Sequence, residues 1–186
     1  MKTLLSAVAF AAIAAPALAQ MANPMVGGAE MPATNDIVTN AIASADHTTL
    51  VAAVQAAGLV ETLQGAGPFT VLAPTNAAFA ELPAETLELL LEPQNKDRLA
   101  KILTCHVIPA EAFSADIVGM IQADGGTHAI TTVGGCVLQA SVQNGSVVIA
   151  DEQGRSATVT IADVDQSNGV IHVIDSVLLP SAASQQ

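Results

Sequence analysis

Asn168-Gly169-Val170-Ile171-His172-Val173-Ile174-Asp175-Ser176-Val177-Leu178-Leu179-Pro180 is an aliphatic strand with one imidazole and one carboxylate set into it. An unpartnered polar group in such a strand costs on the order of 1 to 3 kcal/mol. His172 and Asp175 therefore need partners or must face water. The Asn168-Gly169 pair in front of the strand, lying between apolar runs, is a strong hairpin signal, so the strand returns along the one before it.

Two further stretches match this one in character. Gly67-Pro68-Phe69-Thr70-Val71-Leu72-Ala73-Pro74-Thr75-Asn76-Ala77-Ala78-Phe79 reads as a strand running into a helix, and Leu103-Thr104-Cys105-His106-Val107-Ile108-Pro109 as a helix end running into a strand. In this order the three stretches resemble the two homology boxes and the Tyr-His region of the fasciclin domain, over roughly residues 35 to 180. The resemblance implies a wedge-shaped β-sandwich edged by helices, serving as an exported adhesion or protein-interaction module without catalytic chemistry. Where the family has a tyrosine before the motif histidine, this chain has Cys105. In animal members an Asp followed by an aliphatic residue, a few positions before the Asn-Gly-Val-Ile-His box, is an integrin-recognition element. Asp163 and Val164 match it here as partner-binding candidates, while the flanking Ile161, Ala162 and Asp165 depart from the motif.

At the N-terminus, Lys2, the apolar run Leu4 to Ala15, and Ala17-Leu18-Ala19 before Gln20 describe a cleavable secretory signal over residues 1–19. That run is too short for a membrane span, which needs about 20 residues. Export to the periplasm or the medium is expected, with no membrane insertion. Residues 20–34 carry prolines and a Gly-Gly without apolar period and read as a flexible leader. Residues 35–180 form the domain, and 181–186 a tail. Removing the signal leaves 167 of 186 residues, enough for one domain with a real core.

Charge excludes one class of partner. The chain carries −12, and −13 once Lys2 is gone, so polyphosphate backbones and anionic bilayers are repelled. There is no Trp or Tyr, and after the signal only Phe69, Phe79 and Phe113 are aromatic. Protein hot spots favour Trp, Tyr and Arg, and Arg98 and Arg155 are the only arginines. Contacts to a cell-surface or matrix protein are therefore expected to be weak and made useful by multiplicity.

On either side of the Phe69 to Ala73 strand, apolar residues recur at helical spacing between Asp36 and about Leu103, and they do so again from Ser114 to Ala123, with Asp36, Thr48 or Thr49, Thr75-Asn76 and Ser114 available as caps. From Ala129 onward five β-rich runs are separated by Gly134-Gly135, Asn144-Gly145, Gly154 and Asn168-Gly169. The fold class is α+β: about seven strands in an antiparallel β-sandwich, with helices packed along one edge.

Candidate chemistry is thin. His172, Asp175 and Ser176 lie within five residues of one strand, whose alternation sends Asp175 to the opposite face from the other two, and no Gly-x-Ser-x-Gly elbow occurs. Cys105, His106, Cys136 and His172 have ligand chemistry without zinc spacing. No enzyme, metal or cofactor is expected. Thr75, Asn76, His106, Asn168, Gly169, His172 and Asp175 read as structural motif residues, the histidines and Asp175 as a hydrogen-bonded set that holds strand register. His47 and His128 read as surface residues without a role. Cys105 and Cys136 are an even pair in an exported chain, compatible with a disulfide or with two buried thiols. In the light of the resemblance, a bridge would supply anchoring the family draws from its tyrosine. The competing function is a periplasmic binder of a small apolar ligand or haem between helices and sandwich.

Overall fold

The computed structural model describes residues 23–181. The expected signal peptide and residues 182–186 of the tail lie outside the described residues.

The helical half comes first. Asp36 accepts from the Val38 and Thr39 N–H groups and so starts α1, Ile37–Ala43. After a 3-10 turn, Ala45–His47, α2 runs over Thr48–Ala57 and stops at Gly58, which takes the left-handed conformation at φ 71°. The short α3, Val60–Leu63, leads into the first strand of the main sheet. Two short strands precede all of this: β1, Met25–Val26, and β2, Ala29–Glu30, so that the first main strand is β3, Phe69–Pro74. Then follow α4, Asn76–Ala80, capped by the Thr75 hydroxyl, α5, Ala84–Leu91, and α6, Lys96–Thr104. The remainder is β4, Val107–Ile108, α7, Ser114–Ala123, and the strands β5, Thr127–Thr131, β6, Val137–Gln143, β7, Ser146–Ala150, β8, Ser156–Gln166, and β9, Gly169–Ile174.

Seven strands form one ladder in the order β4-β3-β9-β8-β7-β6-β5. The run from β5 to β9 is the antiparallel meander that its Gly-bearing turns imply. One pairing departs from the all-antiparallel expectation: β3 and β9 run parallel, Phe69 opposite Gly169 through Pro74 opposite Ile174. Parallel pairs need long connections and cover on both faces, and both are present. Val71, Ala73, Ile171 and Val173 face the helices in one apolar cluster, while Leu72 and Ile174 face β6, β7 and α7 in a second. The α+β wedge therefore has two cores, with β3 and β9 as the wall between them.

The segment expected as a flexible leader is structured where it is described. β1 and β2 pair as a hairpin, and Val26 and Met31 are buried in the helical core. Gly27 makes this possible, because a Cβ there would lie 2.4 Å from the Ser44 hydroxyl. His47 is likewise buried rather than exposed: its Nδ1 bonds the Ser44 hydroxyl at 2.8 Å, its Nε2 closes no good hydrogen bond, and burial lowers its pKa. His128 is partly exposed and pairs with Asp124 at 2.6 Å.

Candidate functional site

β9 places His172 and β3 places Thr70 on the inner face of the wall, because residues of even number on both strands point that way. Both side chains reach the segment that enters α7. The Thr70 hydroxyl donates to the Ala110 carbonyl at 2.7 Å and accepts from the Ala112 N–H at 2.9 Å. His172 Nε2 donates to the Ala112 carbonyl at 2.8 Å, which leaves Nδ1 to accept the Asp163 N–H at 3.2 Å. The ring is thus a neutral Nε2–H tautomer bridging β8 to the α7 entry. Burial lowers its pKa against the opposing pull of the Ala112 carbonyl and the Asp163 carboxylate.

Asp163 sits in an irregular stretch of β8 where the register against β9 shifts between Ile161 and Val164. Its φ is 60°, a conformation L-residues other than Asn and Asp seldom adopt. The turned-out side chain accepts from the Ser114 N–H at 2.6 Å and from the Ser114 hydroxyl at 2.5 Å. Ser114 was expected to cap α7; it is instead the first helical residue, and Asp163 supplies the anionic cap from another strand. Of the two residues matched to the recognition element, Asp163 is exposed with its carboxylate engaged by Ser114, whereas Val164 is fully buried in the helical core. Val164 offers no side-chain surface to a partner.

His106 does similar work with the other tautomer. Its Nδ1 donates to the Ile102 carbonyl at 2.9 Å and its Nε2 accepts the Leu178 N–H at 3.0 Å, tying the end of α6 to the segment after β9. Burial lowers its pKa to about 4, against the Ile102 carbonyl and the Asp151 charge. Asp175 does not join the histidines: it accepts the Thr158 N–H at 2.7 Å and returns its own N–H to the Thr158 carbonyl, continuing the β8–β9 ladder past its last regular pair. Ser176 donates to Glu81. His172, Asp175 and Ser176 therefore each serve different elements and do not form a relay.

The amide motif residues are clamps. Asn168 accepts the Ile37 N–H at 3.0 Å and donates to the Leu63 and Gly65 carbonyls, joining the starts of α1 and β9 to the end of α3. Gly169, at φ 150°, lies so close to β3 that a Cβ would fall 1.9 Å from the Phe69 carbonyl oxygen. Thr75 caps α4 through the Ala78 N–H, as expected. Asn76 reaches across instead, accepting the Thr49 N–H and the Thr48 hydroxyl and donating to the Ala45 carbonyl, so it caps α2.

Cys105 and Cys136 form a disulfide with a Cα separation of 5.4 Å. Cys105 ends α6, and the bridge ties it to the turn before β6. Among the described residues no group of three or more His, Cys, Asp or Glu converges as for a metal, and no helix is long and apolar enough to cross a membrane. Sequence reading missed an apolar cavity of about 80 Å3 between α1, α2, α3 and β3, lined by Ile37, Val38, Leu50, Val54 and Leu63 with Ile42 exposed at its edge. The helical periodicities were visible, but the gap between their faces exists only once the helices are packed.

The fasciclin domain profile matches residues 45–180. Protein sll1483 of Synechocystis sp. is 45% identical over 97% of this chain and 99% of its own length. The transforming growth factor-beta-induced protein ig-h3 of Sus scrofa is 38% identical over 74% of this chain, which spans 18% of that protein. The solved structure of a FAS1 domain pair from the insect cell adhesion molecule fasciclin I superposes with a TM-score of 0.71 at 18% identity, over 82% of this chain and 53% of that one. The fold is shared with that pair, and by profile and sequence identity the chain belongs to the fasciclin domain family.

Proposed function

We propose that the chain is an exported adhesion module making weak, repeated contacts to a cell-surface or matrix protein, with the Asp163 corner in its contact surface. The carrying observation is how the motif side chains are spent. His106, His172, Asn168 and Asn76 hold backbone of neighbouring elements and Thr75 that of its own helix, while the His172 and Ser114 bonds fix an exposed corner, Ala162-Asp163 beside the start of α7. A corner held this way loses little freedom on binding. Val164 contributes as the buried anchor of the bulge, not as a contact.

Attachment of the exported protein to native envelope fractions tests this, using Asp163→Ala beside Ser114→Ala. The second variant removes the hydroxyl's hydrogen bond to Asp163 but keeps the backbone N–H bond and the carboxylate. Asp163→Ala should weaken attachment by about tenfold or less, the scale of one rim charge, and Ser114→Ala should not. Equal attachment curves for Asp163→Ala and the parent at several salt concentrations would take Asp163 off the contact surface.

The apolar cavity supports a second reading, a binder of a small uncharged apolar molecule. Its 80 Å3 is about half the volume of an engineered cavity that admits benzene, so a larger occupant requires the elements around it to move apart. Haem fits less well, because both nitrogens of His106, the histidine on the cavity wall, are already hydrogen-bonded. Organic extraction and absorption spectra of protein from its native host separate the readings: a stoichiometric apolar molecule favours the binder.

A further inference from the structure

The chain contains two Asn-Gly dipeptides, Asn144-Gly145 and Asn168-Gly169. This pair carries an intrinsic reactivity. The glycine nitrogen, unshielded by a side chain, can attack the asparagine side-chain carbonyl, forming a C–N bond and expelling ammonia to give a succinimide. Water then opens either imide carbonyl, yielding aspartate or isoaspartate. No oxidant or further reactant is required, so shielding by the fold decides which site reacts.

The two sites differ in every respect that matters to this step. Asn144 and Gly145 form the tip of the β6–β7 hairpin, between the paired residues Gln143 and Ser146, with φ of 52° and 84°. Both are exposed, and nothing lies within 4 Å of the position a Cβ would take on Gly145. Among the described residues the Asn144 amide has no hydrogen-bond partner, and the Gly145 N–H donates to no turn or side-chain acceptor. At Asn168 the side-chain oxygen accepts from Ile37 and the nitrogen donates to Leu63 and Gly65, while Gly169 is wedged against the Phe69 backbone. Rotating that amide into line for attack would break three hydrogen bonds at once.

We propose that Asn144 is a site of spontaneous deamidation in the folded protein and that the clamp around Asn168 shields the chemically identical dipeptide. The product adds one negative charge at the hairpin tip, taking the chain from −12 to −13 before any processing. The isoaspartate form also lengthens the backbone of a two-residue loop and loosens its Gln143–Ser146 register. An isoaspartyl carboxyl-methyltransferase would therefore find its substrate group on the surface of folded protein.

The test is peptide mapping with isoaspartate detection on the full chain, incubated at mildly alkaline pH with and without denaturant. In the folded chain the Asn144 peptide should accumulate isoaspartate and aspartate, and the Asn168 peptide should convert more slowly by over about tenfold, because its reaction waits on local opening. In denaturant the two should react alike. Asn144→Gln should abolish the acidic species that appears in the folded sample. Conversion of both peptides at similar rates in the folded chain overturns the shielding, and an Asn144 peptide that reacts only in denaturant overturns the site.

Discussion

The two buried histidines hold opposite tautomers because the backbone groups around them differ: at His172 a carbonyl faces Nε2, at His106 it faces Nδ1. In each ring the second nitrogen accepts a backbone N–H, so protonation removes an acceptor as well as burying a charge. For His106 the folded pKa, about 4, lies below the ordinary 6.5. The unfolded chain therefore binds the extra proton first as pH falls. Its contribution is full above about pH 6.5, declines between about pH 6.5 and 4, and is constant below. A 2.5-unit difference corresponds to roughly 3 kcal/mol. Urea midpoints across this window should fall with acid, and His106→Gln, although less stable at neutral pH, should show a flatter decline. An unaltered slope in that variant would assign the acid sensitivity elsewhere. Asp163 invites a second measurement at this scale. Asp163→Ala loses the α7 cap and keeps the costly positive φ, whereas Asp163→Gly loses the cap and relieves the strain. The glycine variant should be the more stable by about 1 kcal/mol in denaturant melts, and the reverse order would show that the bulge is not strained.

Between elements, the parallel pairing of β3 with β9 is the feature most sensitive to one atom. Gly169 permits the approach, and Asn168 fastens its first end to the helical half. Gly169→Ala places a methyl carbon 1.9 Å from the Phe69 carbonyl oxygen, an overlap with rigid backbone that must move the strands apart. The expected loss exceeds about 3 kcal/mol, beyond the ordinary range for single substitutions. Gly145→Ala is the control, also at positive φ but with open space around it, and should cost only about 1 to 2 kcal/mol. Comparable chemical-denaturation midpoints for the two variants would mean that β3 and β9 can separate without consequence.

On the scale of the molecule, the helical half and the meander are joined by three kinds of tie: the β3–β9 ladder, the histidine and asparagine clamps, and the disulfide. The bridge closes a loop with a sequence separation of 31 between the end of α6 and the turn before β6. In the chain-entropy picture such a closure contributes roughly 3 to 4 kcal/mol by restricting the unfolded chain. Both cysteines are buried, so reductant should act slowly on the native protein and fully only in denaturant. The double variant Cys105→Ala and Cys136→Ala should melt several degrees lower, with a midpoint indifferent to reductant, while the parent's midpoint drops when reductant is present during unfolding. Two titratable thiols in denatured, unreduced protein from the exported fraction would contradict the bridge.

Amino-acid pattern alone was sufficient for the local structure: the helical periodicities, the turn glycines of the meander and the α+β class. Those features depend on neighbours within a few positions, so they are written in the order of residues. Partner identities were not legible there. That Asn76 caps α2 rather than its own helix, that Asp163 caps α7, and that His106 meets Leu178 depends on elements separated by between 27 and 72 positions in sequence. The parallel β3–β9 pairing follows from a long connection and from cover on both faces, neither of which marks a strand's own residues. Residues 23–34 look featureless because their prolines and glycines suppress periodicity, yet Val26 and Met31 find a core that the rest of the chain has built. Tertiary structure alone decided which of two identical Asn-Gly pairs is exposed, and whether an aliphatic residue such as Val164 faces water or the interior, because a bulge resets the alternation by which a strand assigns its faces.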